Sequence, residues 1–303
     1  MPANMLNSQS ANATYLPSSW QANLYLKFEK THRGARLTKN EHQGPLSVQK
    51  PFYPEGPDLP HVYLLHPPGG LVSGDSLTID VDVDTGSSAL LTAPGAFRVY
   101  KAREDRTLQK QVVTINLSEN SRAEWLPQES IYYPDSFSEV NTIVNIPKSS
   151  NNNCHFIGWE IACYGLSEKT APFLSGGVKQ SLEIWQDKLP VLIDKFSFDG
   201  SDKCFKQTMT GLQGKNVNGI MVSGPFNEEL VNGLSDQHWL NDIRNITHSN
   251  DVLFSSTLRG QWLITRYLGN NAEQARQLMT EVWKVVRPIL MNRKAVLPRI
   301  WSC

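Results

Sequence analysis

The chain has 303 residues, 40% of them hydrophobic and 19% charged, with 29 basic and 29 acidic side chains and a formal net charge of zero. That length fits one large domain or two small ones with ample material for a core, and neutrality removes any electrostatic argument for nucleic acid or an acidic membrane as partner. The four cysteines, Cys154, Cys163, Cys204 and Cys303, form no CxxC pair, which reads as free thiols in a reducing compartment, the cytoplasm.

In chain order, residues 1–19 (MPANMLNSQSANATYLPSS) are polar, without a basic start or an apolar stretch. They are expected to form a disordered tail ahead of a single domain over 20–303. No run of ~18 apolar residues marks a membrane span. Up to about residue 225 the pattern has period two. Leu77, Ile79, Val81 and Val83 alternate with Thr78, Asp80, Asp82 and Asp84, as a half-buried strand requires. Strands are also predicted around Val113–Leu117, Val140–Ile146, Phe156–Tyr164 and Gln180–Trp185. Turn clusters separate them, as in TGSS after Asp84 and PKSSNNN before Cys154. Many strands with short turns predict a large antiparallel-rich sheet system rather than a βαβ array. The last third changes to helical spacing. Ser235 is placed to cap a short helix carrying Trp239, Leu240, Ile243 and Ile246 on one face. Asn271 with Gln274 resembles a capping box ahead of the stripe Ala275, Leu278, Met279, Val282 and Val286, and Pro288 is expected to stop or kink that helix.

Several motifs dissolve on inspection. DVDVDTG from Asp80 places Thr85 and Leu91 where a calcium loop wants Gly and Glu. His61 and His66 are an odd number apart, so on a strand they diverge, as do the adjacent Cys154 and His155. GLQGKN at 211–216 lacks phosphate-loop spacing, GGLVSG precedes a strand rather than a helix, and no GxSxG occurs. No tight metal site and no catalytic residue is assigned. More informative are the acids inside apolar runs, Glu129 in WLPQESI and Glu160 in FIGWEIAC. A buried carboxylate is costly unless paired or solvated, so each reads either as half of an ion pair with a core arginine or as a functional group.

The stretch LLHPPGGLVSGD (64–75) resembles the signature of the urease accessory protein UreD family, also called UreH. The resemblance continues through ALLTAPGA (89–96), RVYK (98–101), WLPQESI (125–131), IGWEI (157–161) and RPILMNRKAVLPRIW (287–301). One departure is GLSEKTAP at 165–172, where the family usually shows Gly-Arg and then Gly-Glu, so no role transfers to Glu168. The resemblance implies a mainly β fold, a β-helix-like stack of strands with two α-helices near the C-terminus. It implies a non-enzymatic scaffold that binds apo-urease and the UreF and UreG accessory proteins, UreG being the GTPase. It also implies transient passage of Ni²⁺ through a polar interior route, with no tightly bound cofactor. Asp75, Glu129 and Glu160 are the candidates to line that route. Pro67, Pro68, Gly69, Gly70 and Gly74 are expected to shape a sharp turn, which Asp75 either locks through backbone N–H groups or extends into the route. Trp301 is expected to pack back onto the domain. The rival reading is a β-rich enzyme acting on a saccharide or similar polar substrate.

Overall fold

A computed structural model describes residues 19–148, 153–166, 170–232 and 238–302. The tail expected over 1–19 therefore lies, except for Ser19, outside the described residues, as do Ser235 and Glu168.

Numbered along the chain, one sheet holds β1 (Gln21–Thr31), β2 (Gly34–Gln43), β5 (Ser76–Val83), β8 (Gln109–Leu117), β11 (Phe137–Ile146), β13 (Gly177–Gln186) and β14 (Leu189–Asp199). The second holds β3 (Ser47–Val48), β4 (His61–Leu65), β6 (Ser88–Thr92), β7 (Phe97–Val99), β9 (Arg122–Leu126), β10 (Ser130–Tyr132), β12 (His155–Tyr164), β15 (Val217–Gly224), β16 (Leu253–Arg259) and β17 (Trp262–Gly269). Their orders are β14-β13-β11-β8-β5-β1-β2 and β16-β17-β15-β12-β9-β6-β4-β3. From β4 to β13 the chain winds between the layers, laying each strand parallel to its predecessor in the same sheet. The result is the β-helix-like stack.

Parallel pairing in the middle of both sheets corrects the antiparallel-rich expectation. Antiparallel pairs occur at both ends of the first sheet, β1–β2 and β13–β14, and in the second sheet at β3–β4 and through the run β12-β15-β17-β16. Alternation reports which face a strand buries and is silent on its neighbour's direction. The crossover that parallel strands require is here a strand of the opposite sheet, so no helical signal betrays it.

The first sheet buries one face. Leu77, Ile79, Val81 and Val83 point inward, while outside a polar ladder runs from Tyr25 to Asp82 (2.7 Å), Asp82 to Asn116 (2.8 Å) and Asn116 to Asn145 (2.8 Å). The second sheet is covered on both faces, and its strands accordingly read as near-continuous apolar runs. Ala89, Leu91, Ala123, Trp125 and Phe156 pack toward the first sheet. Leu90, Leu126, Ile157, Trp159 and Ile161 pack in a second cluster with α3 (His238–Arg244) and α4 (Ala272–Met291), preceded in the chain by the short α1 (Lys203–Gln207) and α2 (Glu228–Asn232).

Asn271 caps α4, its Oδ1 accepting from the Gln274 backbone N–H at 3.0 Å. Pro288 neither stops the helix nor marks its end: α4 runs on to Met291 and closes at a left-handed Asn292. The proline sits in the last turn, where Leu290 and Met291 are still buried in the helix-side core, so packing holds what one missing hydrogen bond would loosen. Trp301 packs back on that core, its ring 5.5 Å from Trp159 and 6.1 Å from Trp283, and its Nε1–H donates to Thr92 at 3.0 Å.

Candidate functional site

The second sheet is broken at one level in three successive rungs. After β4 come residues 66–70, after β6 residues 93–96, and after β9 residues 127–129; pairing then resumes through Leu71, β7 and β10. Each break contains proline, which cannot donate to a ladder. In the first, the His66 carbonyl accepts from Gly69 N–H at 2.8 Å, closing a tight turn over Pro67 and Pro68. Gly69 has φ of 77°, and a Cβ on Gly70 would stand 2.4 Å from the Arg98 carbonyl oxygen. The punctuators therefore let one rung break and close against the next.

β12 passes this level unbroken. It pairs with β9 through Gly158 and with β10 from Ala162, so Glu160 lies where its neighbour is interrupted. Strand alternation turns Trp159 and Ile161 toward α4 and Glu160 toward the first sheet. The space there is a cavity of about 270 Å³, reaching from His66, Arg98 and Gln128 inward to Gln111, Trp125 and Glu160. A smaller one of about 30 Å³ continues between the sheets past Glu160, Thr142, Gln180 and Asn218 to Asp194. Glu160 belongs to both linings. A water needs about 10–15 Å³, so the larger space holds many waters and the smaller about two.

Glu160 Oε1 accepts from Trp125 Nε1–H (2.9 Å) and from the Thr142 hydroxyl (2.7 Å). No Lys, Arg or His pairs with it among the described residues. Burial pushes its carboxyl above the ordinary range, against the lowering effect of those two hydrogen bonds. Although deep in the fold it keeps accessible surface, because both cavities open on it.

The other sequence candidates are placed elsewhere. Asp75 is buried, with Oδ1 accepting from Trp20 N–H (2.8 Å) and Oδ2 from Val72 N–H (3.0 Å); neither cavity includes it. Gly74, beside it, has φ of 85°. Glu129 is half-buried, its carbonyl accepting from Phe97 N–H at 2.9 Å, and its side chain lies outside both linings. Among the described residues no group of three or more His, Cys, Asp or Glu converges as a metal site.

The ion pair suspected of a core arginine exists, but with different acids. Arg287 on α4 is fully buried; its Nε donates to Glu124 at 2.9 Å, and its Nη2 donates to Glu124 at 3.0 Å and to Glu55 at 2.7 Å. Trp283 Nε1–H also donates to Glu124 (2.7 Å), and His61 meets Glu55 at 2.8 Å. Burial would raise the Glu55 carboxyl, but the bonds from His61 and Arg287 prevail and hold it down at about 2. Glu124 sits between Ala123 and Trp125 in an apolar run, the same signal that drew notice to Glu129 and Glu160.

The family model described as UreD urease accessory protein matches residues 21–302. A urease accessory protein UreD of Marinomonas sp. (strain MWYL1) is 42% identical over 288 residues, covering 94% of this chain and 90% of the relative. Similar proteins of that description occur in Psychromonas ingrahamii (38% identical, 94% of each chain) and Hahella chejuensis (33% identical, 97% of this chain and 94% of the relative). No helix among the described residues is long and apolar enough to cross a membrane.

Proposed function

The chain belongs to the UreD urease accessory protein family, and from that premise we propose that it is a non-catalytic cytoplasmic scaffold of urease maturation. In this reading it binds apo-urease, a UreF-like accessory protein and a UreG-like GTPase. The space between its sheets carries Ni²⁺ as cargo toward the urease active site. The observation that carries the proposal is Glu160: a carboxylate without a paired cation among the described residues, set where the sheet is broken, and shared by two cavities whose walls mix apolar and polar side chains. A carboxyl that faces open space and, among the described residues, has neither a fixed cation nor a set of converging ligands can take up an arriving cation and let it go. Such a group passes a metal on rather than storing it. Asp75 acts in this reading as the clamp of the turn that forms the rim, and Glu129 as part of the rim backbone.

The saccharide-enzyme reading needs two carboxylates flanking one cleft. Among the described residues lining the larger cavity, Glu160 is the single acid. The test is Glu160→Gln in the full chain, co-expressed with apo-urease and the accessory proteins. The complex is expected to assemble normally while urease activation slows, most at limiting nickel. Normal activation at every nickel concentration would overturn the role of Glu160.

A further inference from the structure

Arg266 on β17 pairs with Asp194 on β14 across the gap between the two sheets, Nη2 donating to Oδ1 and Nη1 reaching Oδ2 at 3.5 Å. Strand register shows what the pair closes. In the second sheet Glu160, Ile220 and Arg266 stand side by side on β12, β15 and β17. In the first, Thr142, Leu182 and Asp194 stand side by side on β11, β13 and β14. The two rows meet between the sheets. Thr142 donates to Glu160 at the inner end, the buried Leu182 and Ile220 stand between, and the ion pair occupies the outer end. The smaller cavity follows this layer, and Glu160 and Asp194 are the two ionisable groups in its lining. The Asp194 side chain is 23% exposed and that of Arg266 is 53% exposed, so at this end the space meets solvent. β14 is the last strand of its sheet, which leaves that side of the stack open.

We propose that the Asp194–Arg266 pair is the gate of a second, lateral mouth of the passage, with Asp194 as the carboxylate that meets the divalent cation and Arg266 as the side chain that shuts it. The proposal rests on the cation-passage reading of the space beside Glu160 and adds an opening to it. A guanidinium keeps its charge at any physiological pH. While it holds Asp194 the mouth carries no net charge, and a cation must displace it to reach the carboxylate. Displacement is cheap, because an exposed ion pair contributes little to stability and a long side chain regains its freedom in water. With Arg266 turned outward, the mouth is negative and focuses cations toward it. Asp194 and Glu160 then stand as successive carboxylates at the two ends of the small cavity.

The experiment is urease activation by the full chain in its complex at limiting Ni²⁺. Asp194→Asn, Arg266→Gln, Arg266→Met, the double variant Asp194→Asn with Arg266→Gln, and Glu160→Gln are compared with the parent. Asp194→Asn leaves an unpaired cation at the mouth and is expected to slow activation about tenfold or more. Arg266→Gln and Arg266→Met leave the carboxylate unguarded and are expected to speed it about threefold or more. The double variant has a neutral mouth, so it should activate faster than Asp194→Asn alone. A pair that only braces the two sheets would instead give single variants that shift in the same direction, and that result would overturn the gate. Parent-like rates for the Asp194 and Arg266 variants beside a slow Glu160→Gln would overturn the gate and leave the passage standing. Parent-like rates for every variant would overturn both. Loss of the complex in Asp194→Asn and in both Arg266 variants would make the pair a structural contact and also overturn the proposal.

Discussion

Two glutamates on opposite faces of the second sheet should respond oppositely to the same substitution. Glu124 faces α4, with both carboxylate oxygens on the buried Arg287 guanidinium. Glu124→Gln leaves Glu55 as the guanidinium's remaining carboxylate and turns one acceptor into an amide NH2 that faces Arg287 donors, and losing a buried charge-assisted bond in this way costs about 1.5–3 kcal/mol. A chain of 303 residues unfolds with an entropy of about 0.6 kcal/mol per kelvin, so the melting temperature should fall by about 2–5 °C. Among the described residues Glu160 has no such partner. A glutamine there keeps an oxygen for Trp125 and Thr142 and turns its amide to cavity water. Because the folded carboxyl binds its proton above the ordinary value of 4.5, native Glu160 makes stability fall as pH rises above that value. Glu160→Gln removes this slope, so at neutral pH its melting temperature should equal or exceed that of the parent. Thermal unfolding followed by circular dichroism on purified full-length chains, from mildly acidic to neutral pH, measures both. A thermally silent Glu124→Gln, or a Glu160→Gln that falls with it, would refute the reasoning.

Further outcomes follow from the same contacts. The Glu55 carboxyl, held near 2 by His61 and Arg287, contributes stability that is complete above its unfolded value of 4.5 and is lost as pH falls toward 2; replacing Glu55 with Gln should flatten that part of an acid-unfolding curve. Deleting residues 298–303 removes the Trp301 ring from Trp159 and Trp283, and the loss of about 1.5–3 kcal/mol should lower the melting temperature by roughly 2–5 °C; an unchanged value would mean the ring contributes nothing. Asp75→Asn keeps one acceptor where two backbone N–H groups need one each, so stability should drop by about 1–3 kcal/mol, measured as a shifted urea midpoint.

Much of this architecture could be read in the sequence. The inward face of β5, the cap at Asn271 and the return of Trp301 follow from periodicity, capping chemistry and a bulky apolar terminus. The direction of strand pairing did not, since side-chain alternation is identical in parallel and antiparallel ladders. Glu160 stood out through its apolar neighbours, and its orientation opposite Trp159 and Ile161 followed from strand geometry. Its distinction from Glu124 could not be read, because the two share one local pattern. What separates them is Arg287, more than 120 residues away in sequence from either. The cavity was hidden for a related reason. Residues 66–70, 93–96 and 127–129 each look like an ordinary loop, and only winding brings them to one level.

That winding also orders how the molecule comes into being. Each coil takes its hydrogen-bond template from the coil before it, so β8 has no partner until β5 is in place, nor β11 until β8 is. A chain emerging from the ribosome would thus carry a raw strand edge at its growing end until β14 completes the first sheet and β15, β17 and β16 complete the second with antiparallel partners. Limited proteolysis of stalled nascent chains would show protection advancing one coil at a time; protection arriving all at once on chain release would contradict it. The α4 layer is made last, so the helix-facing side of the second sheet stays bare and adhesive for most of synthesis, and its exposure to chaperones and to aggregation is longest there.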